Sequence, residues 1–79
     1  EQSVLAANAE VAEFPAQPQS KVTRKRVFEL GLPKGATIGG LVRHGEGYLV
    51  SGGTQIEAGD IVMVFCYNMS MDKLEKFFK

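Results

Sequence analysis

Apolar and polar positions change rhythm several times along this chain. Ala9-Glu10-Val11-Ala12-Glu13-Phe14 alternates loosely, as a half-buried strand does, and Pro15 and Pro18 stop it because proline has no amide donor for a ladder. From Ser20 the spacing lengthens. Val27 and Leu30 lie three apart and Phe28 and Leu32 four apart, with Thr23 available as a cap and Gly31 and Pro33 as a stop. That pattern predicts a helix of about two turns. Thr37 to His44 then reads as a strand, with Ile38, Gly40, Val42 and His44 on one side and Thr37, Gly39, Leu41 and Arg43 on the other. His44-Gly45-Glu46-Gly47 is a glycine-rich reversal, and Tyr48-Leu49-Val50-Ser51 returns as the second arm of a hairpin.

The stretch IEAGDIVMVF, residues 56–65, sets an acidic turn against a strongly apolar run. Ala58-Gly59-Asp60 predicts a tight turn, with Gly59 and Asp60 as its structural residues and the Asp60 side chain accepting from nearby backbone amides. Ile61 to Tyr67 is apolar on both faces, which predicts a strand in the middle of the sheet whose entry must be fixed against a one-residue slip. Asn68-Met69-Ser70 offers caps for a last helix with Met71, Leu74, Phe77 and Phe78 on one side and Lys73, Glu75, Lys76 and Lys79 on the other. The expected order is β-α-β-β-β-α, an α+β domain with a mostly antiparallel sheet and two helices on one face. It occupies residues 9–79, after a linker or helix end over residues 1–8.

Composition sharpens this picture in a few places. Nine basic and nine acidic residues balance, so the chain has no broad positive field for nucleic acid. The local run Lys21-Val22-Thr23-Arg24-Lys25-Arg26 reads as a solvated helix face, with docking on an acidic partner or an anionic surface as the alternative. At 79 residues one core is available, and a domain of this size buries only about 60% of its unfolded surface, so a partner would help it. No apolar stretch reaches the roughly 18 residues that span a bilayer. The chain starts at Glu1, not methionine, and reads as a piece of a longer protein.

The residues that could carry chemistry are sparse. Gly35, Gly39, Gly40, Gly45 and Gly47 form no phosphate-binding fingerprint and read as turn and packing positions. His44 has no second histidine or cysteine at ligand spacing, and Met69 and Met71 fit a helix entry, so no metal is predicted. Cys66 is single and lies in the apolar run, as a buried small side chain of a reducing compartment does. Ser51 and Ser70 have no histidine and acid to activate them, and Glu57 with Asp60 has no further catalytic group in reach. The expectation is a non-enzyme. Arg43 with His44 could present donors to an anion.

In this order and spacing, Ala9 to Phe14, Val27-Phe28-Glu29-Leu30-Gly31-Leu32-Pro33, Ile38-Gly39-Gly40-Leu41-Val42-Arg43 and Gly53-Thr54-Gln55-Ile56-Glu57-Ala58-Gly59-Asp60 before Ile61-Val62-Met63-Val64-Phe65 resemble the C-terminal RCK, or TrkA-C, domain. The resemblance covers nearly the whole chain. It implies a cytoplasmic regulatory domain at the inner face of the membrane, coupled to the membrane subunit of a potassium transporter. It also implies a homodimer and, in some members, a regulatory ligand such as cyclic di-AMP between the two copies. The matching positions here are Val42, Arg43, Tyr48, Leu49 and Val50; Ser51 stands where many relatives end that strand with proline. No cofactor is expected in this segment, and NAD(H) or ATP/ADP would belong to an upstream RCK module. The alternative parent is a membrane anion or amino-acid transporter that carries the same domain type.

Overall fold

The computed structural model describes residues 9–67 and 71–79. Four strands, β1 (Ala9–Pro15), β2 (Ala36–Arg43), β3 (Glu46–Leu49) and β4 (Ile61–Tyr67), form one antiparallel sheet in the order β1-β4-β2-β3. The doubly apolar β4 takes a central place, as its pattern predicts, between β1 and β2. Pro15 ends β1, an edge strand where its missing amide costs no ladder bond.

The hairpin is tighter than the sequence reading has it. His44 and Gly45 alone make the turn, with φ of 53° and 80°, the type I′ geometry whose twist suits two antiparallel strands. Glu46 and Gly47 therefore belong to β3 and not to the reversal. The side assignment in β2 is also corrected. A bulge between Ile38 and Gly40 inserts Gly39 as an extra residue against β4, so Ile38 and Leu41 fall on the same, buried side. Gly39 is needed there for room: a Cβ on it would stand 2.5 Å from Cε2 of Phe65, whose ring lies across it.

The two expected α-helices are the larger correction. Residues 20–30 form two separate 3-10 turns, Lys21–Thr23 and Val27–Glu29, with extended Arg26 between them. Arg24, Lys25 and Arg26 crowd like charges where a helix would have to continue, and β-branched Val22, Thr23 and Val27 add little propensity. The backbone is satisfied elsewhere: Val22 N donates to Phe77 O, Val27 N to Thr54 O and Phe28 N to Gly52 O. Thr23 caps nothing, its hydroxyl donating back to Ser20 O at 2.7 Å. At the other end of the chain the α-helix is a single turn, α1 (Asp72–Glu75). The capping residues Asn68, Met69 and Ser70 assigned to it lie outside the described residues, as does the segment 1–8.

These short turns, the loop around Ile56 and the segment 71–78 cover one face of the sheet. Val22, Leu30, Ile38, Leu41, Ile56, Val62, Val64, Cys66, Leu74, Phe77 and Phe78 make the core. Phe14 stacks on Phe78 with ring centres 4.8 Å apart. Gln17 N donates to Phe78 O, stitching the C-terminal segment to the chain beyond β1.

Candidate functional site

Two features meet at the hairpin, an ion pair between partly exposed Arg43 and buried Asp60 on the covered side and an apolar groove on the other. Arg43 ends β2 and Asp60 immediately precedes β4, so antiparallel pairing brings them to the same edge of the core. Arg43 Nε donates to Asp60 Oδ1 at 2.9 Å and Nη2 to Oδ2 at 2.7 Å, a bidentate fork. Nη2 also donates to Gln55 O, Nη1 lies 3.5 Å from Glu57 Oε2, and the Tyr48 ring centre is 5.8 Å from the guanidinium carbon.

Asp60 is 2% exposed and also accepts from Glu57 N at 2.8 Å, across a turn in which Gly59 has φ of 93°. The hydrogen bonds from Arg43 hold its carboxyl below the usual carboxylate range against the opposing cost of burial, with the Glu57 amide adding to the effect. The same contact raises Arg43, so both groups stay charged. The acidic step before the apolar strand thus has two partners, the local amide that the sequence suggests and a cation seventeen residues earlier in the chain.

The groove opens on the free face of the sheet. Val42, Gly47, Tyr48, Leu49, Ile61 and Met63 line it together with Glu13, Gly40 and Leu41, and it encloses about 280 Å³. Of the five residues singled out from the sequence, the structure brings Val42, Tyr48 and Leu49 together here. Arg43 is turned away toward Asp60, and Val50 packs against the core. Ile61, Met63 and Gly47, which the sequence reading did not single out, also line the groove. The doubly apolar pattern of β4 was their signal, because alternate residues of a strand with one covered face must emerge on the other.

A second, smaller hollow of about 210 Å³ lies toward the other end of the sheet, beside Phe65, Thr37 and Tyr67. Burial pushes the Cys66 thiol up, which leaves it protonated and unreactive. Among the described residues, no cluster of three or more His, Cys, Asp or Glu side chains is assembled, and no helix is long and apolar enough to cross a membrane.

A family profile for the TrkA-C domain matches residues 11–79. Two proteins of Methanosarcina mazei, "Trk system potassium uptake protein TrkA homolog 1" and "homolog 2", are each 32% identical to the chain over 71 residues. That alignment takes in 90% of this chain and 16% of each relative, so the chain spans about a sixth of their length. With the match running from Val11, the third residue of β1, through the buried phenylalanines of the C-terminal segment, the chain belongs to the TrkA-C domain family.

Proposed function

We propose that this domain is the regulatory C-terminal domain of a cytoplasmic potassium-uptake subunit, pairing with a second copy and sensing a small nucleotide to control a membrane-embedded potassium transporter. The observation that carries the reading is the family match over residues 11–79 together with the potassium-uptake names of both relatives. The geometry suits a transducer better than a catalyst. Its buried acid, Asp60, is paired with Arg43, and its groove is apolar, so what it offers is binding surface. A ligand or neighbour then acts by favouring one arrangement of the domain over another, since differential affinity is the only source of a population shift. Binding of NAD(H) or ATP/ADP is assigned to a separate upstream RCK module.

Potassium uptake in cells whose own uptake is disabled tests the role. The parent protein is supplied with and without residues 9–79. Regulated uptake is expected only with the domain present, and identical uptake at every external potassium level would overturn the reading. A thermal-shift series with cyclic di-AMP, ATP, ADP, NAD and NADH tests sensing. A ligand at about 100 times its Kd adds about 2.7 kcal/mol, a rise on the order of 10 °C for a domain this small. A flat response to all five removes nucleotide sensing from this domain.

A further inference from the structure

The formal net charge of zero hides a strong asymmetry within the chain. Residues 21–26 and 71–79 hold seven of the nine basic side chains and only two of the nine acids, Asp72 and Glu75. Seven cations against two acids make these segments formally +5, and two cations against seven acids leave the rest of the chain at −5. The fold joins the two segments in one covering layer. Val22 N donates to Phe77 O at 3.0 Å, and Lys21 Nζ sits 4.7 Å from the centre of the Phe77 ring. Gln55 Nε2 donates to Thr23 O and to Lys25 O, which fixes the backbone that carries the first group of cations. Arg24, Lys25, Lys73 and Lys76 are exposed and form no ion pair among the described residues, whereas Lys79 reaches Glu75 at 3.7 Å.

We propose that this basic surface docks an acidic peptide segment of a partner protein, with Arg24, Lys25, Lys73 and Lys76 pairing with its carboxylates. It is separate from the groove: neither hollow of the domain includes a residue of the two segments, so what they offer is spread charge and not a pocket for a small molecule. Opposite charge steers such a partner in and fixes its register, while like-charged competitors are turned away. Two observations favour a peptide over the other large anions. A surface that lies in a bilayer interface sets several open apolar side chains against its cations. Here Val22, Leu74, Phe77 and Phe78 are buried, Met71 packs against them, and Phe28, 69% exposed, is the one open apolar side chain in segments 20–30 and 71–79. A nucleic-acid binder is basic as a whole domain, whereas this chain carries as many acids as bases and sets Asp72 and Glu75 among the lysines of the surface itself. Short runs of carboxylate on a flexible backbone meet cations spaced in this way without needing a continuous positive field.

The test is the fluorescence anisotropy of a labelled oligoglutamate peptide titrated with the 79-residue chain at low ionic strength, with circular dichroism on every variant. The variants are Glu46→Lys alone, Arg24→Glu with Glu46→Lys, and Lys76→Glu with Glu46→Lys. All three positions are exposed, so the fold is expected to hold, and Glu46 lies outside both segments. Each double variant therefore keeps the formal net charge at zero while taking a cation from the surface. The expected result is a wild type that binds, double variants weakened by about fivefold or more, and Glu46→Lys changed by less than about twofold. Binding should vanish in about 1 M salt, where charges are screened beyond about 3 Å. A wild type with no affinity for the peptide, or double variants that bind as tightly as the wild type, would overturn the proposal. Tighter binding to phosphatidylglycerol vesicles or to an oligothymidylate of equal charge would also overturn it, giving the surface to a membrane or to a nucleic acid.

Discussion

Strand β4 presents two apolar sets of side chains, and their fates differ. Val62, Val64 and Cys66 are buried to within 2% of complete, whereas Ile61 and Met63 are half-buried and Phe65 remains 40% exposed. Hydrophobicity does not separate them. What separates them is the material available to cover each side. The segments 16–30, 54–60 and 71–78 all lie on one face, and none of the other described segments covers the opposite one.

This contrast can be broken first on its covered side. Leu74→Ala removes a side chain with no exposed surface and should cost about 3 kcal/mol, read as a lower denaturation midpoint at unchanged m-value. Next comes the ion pair that pins the hairpin to the entry of β4. Asp60→Ala leaves the Glu57 amide without its acceptor and the Arg43 fork unpaired, for a loss of about 2 kcal/mol.

The same pair gives a pH signature. Arg43 depresses the Asp60 carboxyl in the folded chain, so the unfolded chain takes up that proton first as acid is added. Its contribution is complete above about pH 4, the ordinary aspartate value, and is lost as pH falls toward and through the lower folded value. Denaturation midpoints measured from pH 6 to pH 2 should show this loss in the wild type and a shallower one in Asp60→Asn.

Smaller effects are expected on the free face. Gly39→Ala forces the Phe65 ring aside, but that ring is partly in solvent and can swing out, so the cost should be about 1 kcal/mol. A changed near-ultraviolet aromatic signal would confirm that the ring had moved. Leu49→Lys should change the stability of the single copy by less than about 0.5 kcal/mol, and a larger loss would mean that Leu49 is held by the chain's own fold.

How much of this was legible in the sequence follows the range of the forces involved. The strands were readable because their signals are local: the alternation near Val11, the double-sided run 61–67 and the glycine at the hairpin turn. Even there, the Gly39 bulge could not be read, since an extra residue shows itself only against the strand it pairs with. The helix expected after Ser20 failed because its apolar spacing is the same whether the residues coil together or dock separately. Backbone acceptors at Gly52, Thr54 and Phe77, distant in sequence, decided the matter. For the groove, Val42, Tyr48 and Leu49 were singled out by resemblance, whereas the commitment of Arg43 to Asp60 needed the folded register of β2 against β4.

The pairing of β1 with β4 joins residues from opposite ends of the domain, and its consequence is kinetic. The β2–β3 hairpin closes across two residues, but β1 reaches β4 only after a loop of more than half the chain has been drawn shut. The edge strand that completes the sheet is then the last to arrive. Until it does, Phe78 lacks its stacking ring and one side of β4 stands unpaired, which makes a nascent domain most prone to wrong partners in the interval before its first residues come home.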